Sequence, residues 1–259
     1  MSIYLYLDQD SPIHRLHPLT KVSSLMLLFV APMLVIHPVV LSPFLLFLLG
    51  VGGVSGSLRN LKRVWPFMAT LFSFTFLIWS FFYGGQKEVF RLASLRVTQE
   101  SLLFGLGMAL RLNLLFFIGL IFLSTTRIEE LTVGLQRLGL PYIVSFTLGL
   151  AFRLVPVFMD AALTIVQAQR SRGLDFGRGG LLQRLRHYLT VMIPVFMTAL
   201  RKADGMAVAL EARGFRAGVE RTACFRYSFG GLDGLALVAV GAFDLLYLML
   251  RAWGMGMIA

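Results

Sequence analysis

The amino-acid sequence predicts an all-α polytopic membrane protein, with about five transmembrane helices and additional long amphipathic helices. The first reason is composition, since 57% of the 259 residues are hydrophobic and only 14% are charged. Soluble domains carry about 25% charged residues, so this chain could not cover a water-exposed surface. The second reason is a set of long apolar runs. The third is a motif that occurs twice between residues 156 and 214, in segments that favour helices.

Residues 1–126 are predicted to form a transmembrane bundle of four spans. The apolar runs are 22–36, 39–54, 64–83 and 101–126. The first two are near the lower length limit of a span and are separated by His37-Pro38, which suits a tight turn, so we expect a helical hairpin. Residues 86–100 are expected to lie on the outer side of the membrane. Three basic residues in this loop, Lys87, Arg91 and Arg96, count against that side, although a short interfacial helix would accommodate them.

Residues 127–226 are predicted to form a cytoplasmic domain, and residues 227–259 a last transmembrane helix with a tail. Twelve of the 24 Lys and Arg residues lie between Phe152 and Arg226, against five acidic residues. Basic segments next to spans resist translocation and stay on the cytoplasmic side. The helices expected in the cytoplasmic domain are an interfacial one over 127–138 and two long ones over 142–172 and 181–213.

The repeated motif combines Pro-Val-Phe-Met with a terminal Arg-Gly. In the first copy Pro-Val-Phe-Met occupies 156–159 and Arg-Gly occupies 172–173. In the second copy they occupy 194–197 and 213–214. One Arg-Gly is explained by helix termination alone, because glycine is favoured just past a helix end and arginine complements the helix dipole. Two copies, each with alanine four residues before the arginine, favour a further role in binding. A guanidinium at a helix tip suits an acidic groove on a partner protein.

The sequence gives no indication of a catalytic, cofactor-binding or metal site. The histidines are His14, His17, His37 and His187, which are scattered and have no carboxylate companions. The single cysteine, Cys224, excludes an intramolecular disulfide. The formal net charge of +11 does not indicate nucleic acid as a partner, because no aromatic stacking residues interleave the arginines.

Two ionisable residues lie within predicted spans. Such residues are candidates for function by default, because a charge in the hydrocarbon layer is costly. For Arg111 a structural role and a functional one are both open. A basic residue inside the bundle is a candidate partner for Asp244, and the sequence does not identify which one.

Four segments of the chain resemble a known family. They are His14-Arg15-Leu16-His17-Pro18-Leu19-Thr20-Lys21, residues 127–141, Gln169-Arg170-Ser171-Arg172-Gly173 and Glu211-Ala212-Arg213-Gly214-Phe215. The first is similar to an N-terminal signature in which an acidic residue is more usual at the position of His17. The second resembles a conserved amphipathic helix, and the last two resemble paired arginine signatures. Together they resemble the transmembrane T component of energy-coupling factor (ECF) type ABC transporters, which include cobalt, nickel and biotin versions.

The resemblance implies a non-catalytic scaffold. The scaffold would couple ATP hydrolysis by two cytoplasmic ABC-type ATPase subunits to reorientation of a small membrane substrate-binding (S) subunit, for uptake of a vitamin or a transition-metal ion. The ATPase-coupling residues carried over by motif are Arg172 and Arg213 with their neighbours Arg170, Ser171, Gly173, Glu211, Ala212 and Gly214. The resemblance also implies a multi-pass protein of the cell (inner, cytoplasmic) membrane, with its coupling helices in the cytoplasm and no bound nucleotide.

Two other classes of protein are alternatives to this scaffold. A membrane-embedded enzyme acting at the lipid interface would need a convergent acid–base or metal constellation, which the scattered histidines do not suggest. A self-sufficient secondary carrier would need discontinuous apolar segments in corresponding halves of the chain. The repeat here lies in the amphipathic region and not in the spans.

Overall fold

The computed structural model describes residues 6–7, 9, 11–84, 88–92, 95–174, 180–216 and 228–253, with the backbone alone for 88–92, 95–97 and 181–186. The chain divides into two compact units. The first unit combines Met1–Gly139 with Tyr227–Ala259, and the second is Leu140–Arg226. We describe each by itself.

The first unit contains six helices and a β-hairpin within its described residues. In chain order they are α1 (Pro18–Leu34), α2 (Pro38–Val54), α3 (Leu58–Phe82), β1 (Glu88–Leu92), β2 (Leu95–Thr98), α4 (Gln99–Thr125), α5 (Ile128–Arg137) and α8 (Gly231–Ala252). The second unit contains two long helices, α6 (Tyr142–Ser171) and α7 (Leu181–Ala212), which pack against each other. The predicted all-α polytopic membrane fold is confirmed.

Among the described residues, four helices are long and apolar enough to cross a bilayer. They are α3, α4, α6 and α8, whereas α1 and α2 are apolar helices of 17 residues each. Helix α6 falls in the predicted cytoplasmic domain, but its 30 residues make it a further candidate span by length and composition. The division into 1–126, 127–226 and 227–259 therefore stays a prediction.

The segment between α3 and α4 differs from the prediction. Its described residues form an antiparallel hairpin, with Glu88 opposite Thr98 and Leu92 opposite Leu95, in place of a short interfacial helix. Valine, phenylalanine and threonine are enriched in strands, and the segment carries Val89, Phe90, Val97 and Thr98. The prediction rested on the basic side chains and not on this β propensity.

Helix α4 lies at the centre of the first unit and packs against α1, α2 and α3. The buried core residues on α4 include Leu114, Phe117 and Ile118, and those on α2 are Leu41, Phe44 and Leu48. Lipid chains are as apolar as these side chains, so close packing and internal hydrogen bonds, and not transfer out of lipid, hold such a bundle together.

The turn between α1 and α2 lies directly against α4. A side chain at Gly107 would overlap the carbonyl oxygen of Ile36. Nearby, the Arg111 guanidinium donates to the Met33 carbonyl oxygen (3.3 Å) and contacts the Met33 sulfur (2.8 Å). Because Met33 belongs to the last turn of α1, Arg111 binds a carbonyl that the helix itself leaves unpaired. These contacts give Arg111 a structural role.

We expect Gly107→Ala to lower the stability of the first unit by about 1–3 kcal/mol, because the new methyl group meets backbone that cannot rotate away. The matched control is Gly119→Ala on the same helix, where an added side chain has no heavy atom within 4 Å. Gly119→Ala should be neutral or stabilise by up to ~1 kcal/mol through helix propensity. Thermal unfolding of both purified variants compares them, and equal shifts would contradict the close contact.

Asp244 lies on α8 and is only 6% exposed. Neither of its carboxylate oxygens has a hydrogen-bond partner among the described residues. Among the described residues, the structure therefore shows no basic partner for Asp244. Arg111, which is the basic residue within α4, bonds to Met33 instead.

Candidate functional site

The end of α6 is closed by a glycine-containing turn. Gly173 has φ of +89°, and its N–H donates to the Arg170 carbonyl (2.9 Å), while the Leu174 N–H donates to the Gln169 carbonyl (3.0 Å). This pair of bonds is the Schellman motif, which satisfies two carbonyls that the helix leaves unpaired. Arg172 is the C-cap residue of α6, with φ of −82° and ψ of 6°.

The end of α7 repeats this backbone geometry. Gly214 has φ of +72° and donates to the Glu211 carbonyl (2.9 Å), and the Phe215 N–H donates to the Leu210 carbonyl (2.9 Å). Arg213 takes the same place as Arg172, with φ of −85° and ψ of 8°. The two copies of the sequence motif therefore have the same local structure.

Backbone hydrogen bonds alone end each helix, so the arginine side chain is not needed for helix termination. The caps are completed by main-chain groups, and glycine adopts the positive φ without the steric cost of a side chain. Within the described part of the chain, the Arg172 and Arg213 guanidinium groups form neither hydrogen bonds nor ion pairs. Each arginine lies at the C-terminal end of its helix, where the helix dipole is negative and favours a cation. Both charges are therefore available to bind a partner protein.

All the residues predicted to couple to the ATPases are exposed to solvent. Exposed are Arg170, Ser171, Arg172, Gly173, Glu211, Ala212, Arg213 and Gly214. The Ser171 hydroxyl donates back to the Gln167 carbonyl (3.1 Å), so it is used within α6. Exposure and charge at both tips make them suitable for contact with another protein.

The structure brings the end of α7 beside the beginning of α6. The Phe215 ring stacks on the Phe146 ring, with centroids 4.6 Å apart. Phe146 lies in the first turns of α6, whereas Arg172 ends that helix, about 39 Å away along a straight axis at 1.5 Å per residue. The two arginine tips therefore lie towards opposite ends of α6, too far apart for a single groove.

A buried polar cluster in the first unit joins two segments that resemble family signatures. The Lys21 ammonium forms an ion pair with Glu130 (2.6 Å) and donates to the carbonyls of His14 (2.8 Å) and Thr125 (3.2 Å). The side chains of Lys21 and Glu130 are 3% and 15% exposed. The pair ties the start of α1 to the start of α5.

The histidines near the amino end take part in the same region. The His14 ring bonds to the Ser11 hydroxyl (2.7 Å) and the Leu7 carbonyl (3.0 Å). The backbone N–H of His17 donates to the Asp233 carboxylate at the start of α8 (2.7 Å). Asp233 also accepts from the Gly230 N–H (2.8 Å), which caps α8. Sequence reasoning missed both Lys21 and Asp233 as contact residues. The available signal was a lysine at the head of an apolar run and an aspartate at the edge of another.

Comparison with known proteins agrees on one family. Residues 9–223 match the family model CbiQ, described as "Cobalt transport protein". The chain is 31% identical to the energy-coupling factor transporter transmembrane protein EcfT of Lactococcus lactis subsp. cremoris, covering 91% of this chain and 92% of the relative. It is 33% identical to the EcfT of Heliobacterium modesticaldum, covering 95% of this chain and 96% of that protein.

Proposed function

Because this chain belongs to the CbiQ family as the T component of an ECF transporter, we propose that it couples two ATPases to a substrate-binding subunit. In this proposal two cytoplasmic ABC-type ATPase subunits bind the arginine tips of α6 and α7. A small membrane S subunit binds the cargo, a vitamin or a transition-metal ion. The chain is the non-catalytic scaffold between them.

The observation that carries the proposal is the pair of matching helix ends. Arg172 and Arg213 have the same cap geometry, are exposed, and lie towards opposite ends of α6. Two equivalent tips at a separation of the order of 39 Å suit two copies of one kind of partner, each with an acidic groove. A guanidinium fits such a groove because it keeps its charge and donates in a planar fork.

The long helices would carry motion from the ATPases to the membrane. ATP binding closes the two ATPases, draws on both tips, and shifts α6 and α7 as rods. The bodies of these helices expose large apolar side chains, including Met192, Ile193 and Phe196, each more than 60% exposed. Exposed apolar surface of this kind indicates contact with lipid or another membrane protein. The S subunit would lie there, tilt with the rods and release its cargo inward.

The localisation follows from the same arrangement. The candidate spans and the family make this a multi-pass membrane protein. We place it in the cell (inner, cytoplasmic) membrane, with both tips in the cytoplasm where ATP is present. The basic excess between Phe152 and Arg226 supports that side.

Co-expression of the full chain with candidate ATPase subunits and an S subunit tests the proposal. Affinity purification through a tag on the full chain should recover both ATPases in stoichiometric amount, and the reconstituted complex should take up cargo only with ATP. A full chain that purifies free of ATPases from cells containing them, and itself turns over a lipid substrate, would support the enzyme alternative instead.

A further inference from the structure

A cavity of about 210 Å³ lies inside the first unit, between α1, α2, α4 and α8. Its wall is formed mainly by aliphatic side chains, including Leu25, Leu28, Leu48, Ile118, Ile121 and Val240. Along α1 it extends from the level of Lys21 to that of Leu28, about 10 Å at 1.5 Å per residue. The cavity therefore begins at the polar cluster and reaches into the apolar part of the bundle.

The Lys21 and Thr125 side chains, at the end of the cavity nearest the polar cluster, already have hydrogen-bond partners. Lys21 uses its three ammonium hydrogens on His14, Thr125 and Glu130, and the Thr125 hydroxyl donates to the Ile121 carbonyl (2.9 Å). Of the lining residues, Ser24 contributes one buried hydroxyl without a partner. An ordered water needs two to four polar partners, and dry apolar cavities of about 150 Å³ take up benzene. The chemistry of this cavity thus suits hydrocarbon and not water or an ion.

We infer that the mouth of the cavity lies between α2 and α8, because Ala239 on α8 is the exposed residue of its lining. Phe47 and Phe243 stack with centroids 4.8 Å apart and bridge these helices at the deeper end. Nearer the polar cluster, α8 presents the small residues Ala236 and Ala239 to the cavity. These small side chains leave a gap between α2 and α8 near the polar cluster, whereas the Phe47–Phe243 pair closes the gap farther from the cluster.

The surface around the mouth is apolar. Leu235 and Val238, beside Ala239 on α8, are 69% and 71% exposed. In a helix long and apolar enough to span a bilayer, such side chains face lipid. The mouth therefore opens into the hydrocarbon of one leaflet, just below the level of the polar cluster.

We propose that this cavity binds part of the acyl chain of a membrane phospholipid, which enters between α2 and α8 past Ala239. Size, dryness and the lipid-facing mouth together select a flexible hydrocarbon chain. The bound chain fills the space between four helices and supports their packing. The proposal does not depend on the ATPase contacts.

The test uses the full chain in nanodiscs of phosphatidylcholine that carries a diazirine in its acyl chain. After irradiation, peptide mass mapping should find lipid adducts on Ile118 or Leu48, which are 2% and 0% exposed and beyond the reach of surrounding lipid. Adducts on exposed Leu235 and Val238 are the positive control for irradiation. If these exposed residues are labelled and the buried ones are not, the proposal is wrong.

A matched pair of variants tests the route of entry. Ala239→Leu should reduce the adducts on Ile118 and Leu48 at least fivefold, whereas Ala242→Leu, the same change at an exposed site on α8 outside the lining, should leave them unchanged. Equal labelling in both variants would overturn entry past Ala239. Labelling should persist when the partner subunits are reconstituted with the chain, and its loss there would mean that a protein segment, not lipid, occupies the cavity.

Discussion

Reversing the charge at either helix tip is expected to release an ATPase subunit from the complex. Removing one partner of a buried, hydrogen-bonded charge pair costs about 2–5 kcal/mol or more, which corresponds to a loss of affinity of about 30-fold or greater. In Arg172→Glu or Arg213→Glu the new carboxylate also faces an acidic groove, so the upper part of this range applies. Each single variant should retain one ATPase poorly and lose ATP-dependent uptake, and the double variant should lose both ATPases.

The control for this prediction is a charge reversal elsewhere on the same helix. Arg201 is exposed on α7 well before its tip, so Arg201→Glu changes the net charge equally without touching the cap. Co-purification measured by quantitative gel and uptake measured in vesicles should remain near the wild-type level in this variant. If the tip variants keep the ATPases and transport as well as Arg201→Glu does, the role assigned to the arginines is wrong.

Removing the buried ammonium of Lys21 is expected to destabilise the first unit strongly. Breaking one side of a buried ion pair costs about 3–5 kcal/mol, because the other charge remains buried without compensation. Lys21→Met would leave Glu130, at 15% exposure, and the carbonyls of His14 and Thr125 without their donor. The expected result is a large loss of thermal stability in detergent and loosening of α5 from α1.

Two comparisons separate the ion pair from a general effect of losing a lysine. Lys62→Met removes an exposed lysine of α3 and should shift stability by less than about 0.5 kcal/mol. Glu130→Gln combined with Lys21→Met should cost less than the sum of the single variants, since the pair is then removed together. Additive losses, or equal losses in Lys21→Met and Lys62→Met, would show that the buried pair contributes little.

Much of the fold follows from local pattern. The long apolar runs predicted α3, α4 and α8, and His37-Pro38 predicted the break between α1 and α2, because these features act within one segment. The contacts of Arg111 with Met33 and of Lys21 with Glu130 join residues far apart in the chain, and no local pattern indicates such pairs. The hairpin of β1 and β2 was missed because charge was weighed above β propensity.

The candidate site was predictable for a similar reason. A helix end with Arg-Gly is a local motif, so the sequence located both caps, and the structure gives them the same backbone geometry. The distance between the tips depends on how α6 packs against α7 through contacts such as Phe146 with Phe215. That packing is a tertiary contact between distant parts of the chain, so the distance between the Arg172 and Arg213 tips could not be predicted from the sequence.

Site-specific photo-crosslinking tests the central claim most directly. A photoreactive amino acid replaces Ser171 in one variant and Ala212 in another, since each residue is exposed beside a tip arginine. After irradiation of the assembled transporter in membranes, mass spectrometry identifies what each position contacts. The account predicts an ATPase adduct from each position, mapped to an acidic groove. Adducts to lipid or to the S subunit alone, in a preparation that retains both ATPases, would contradict it.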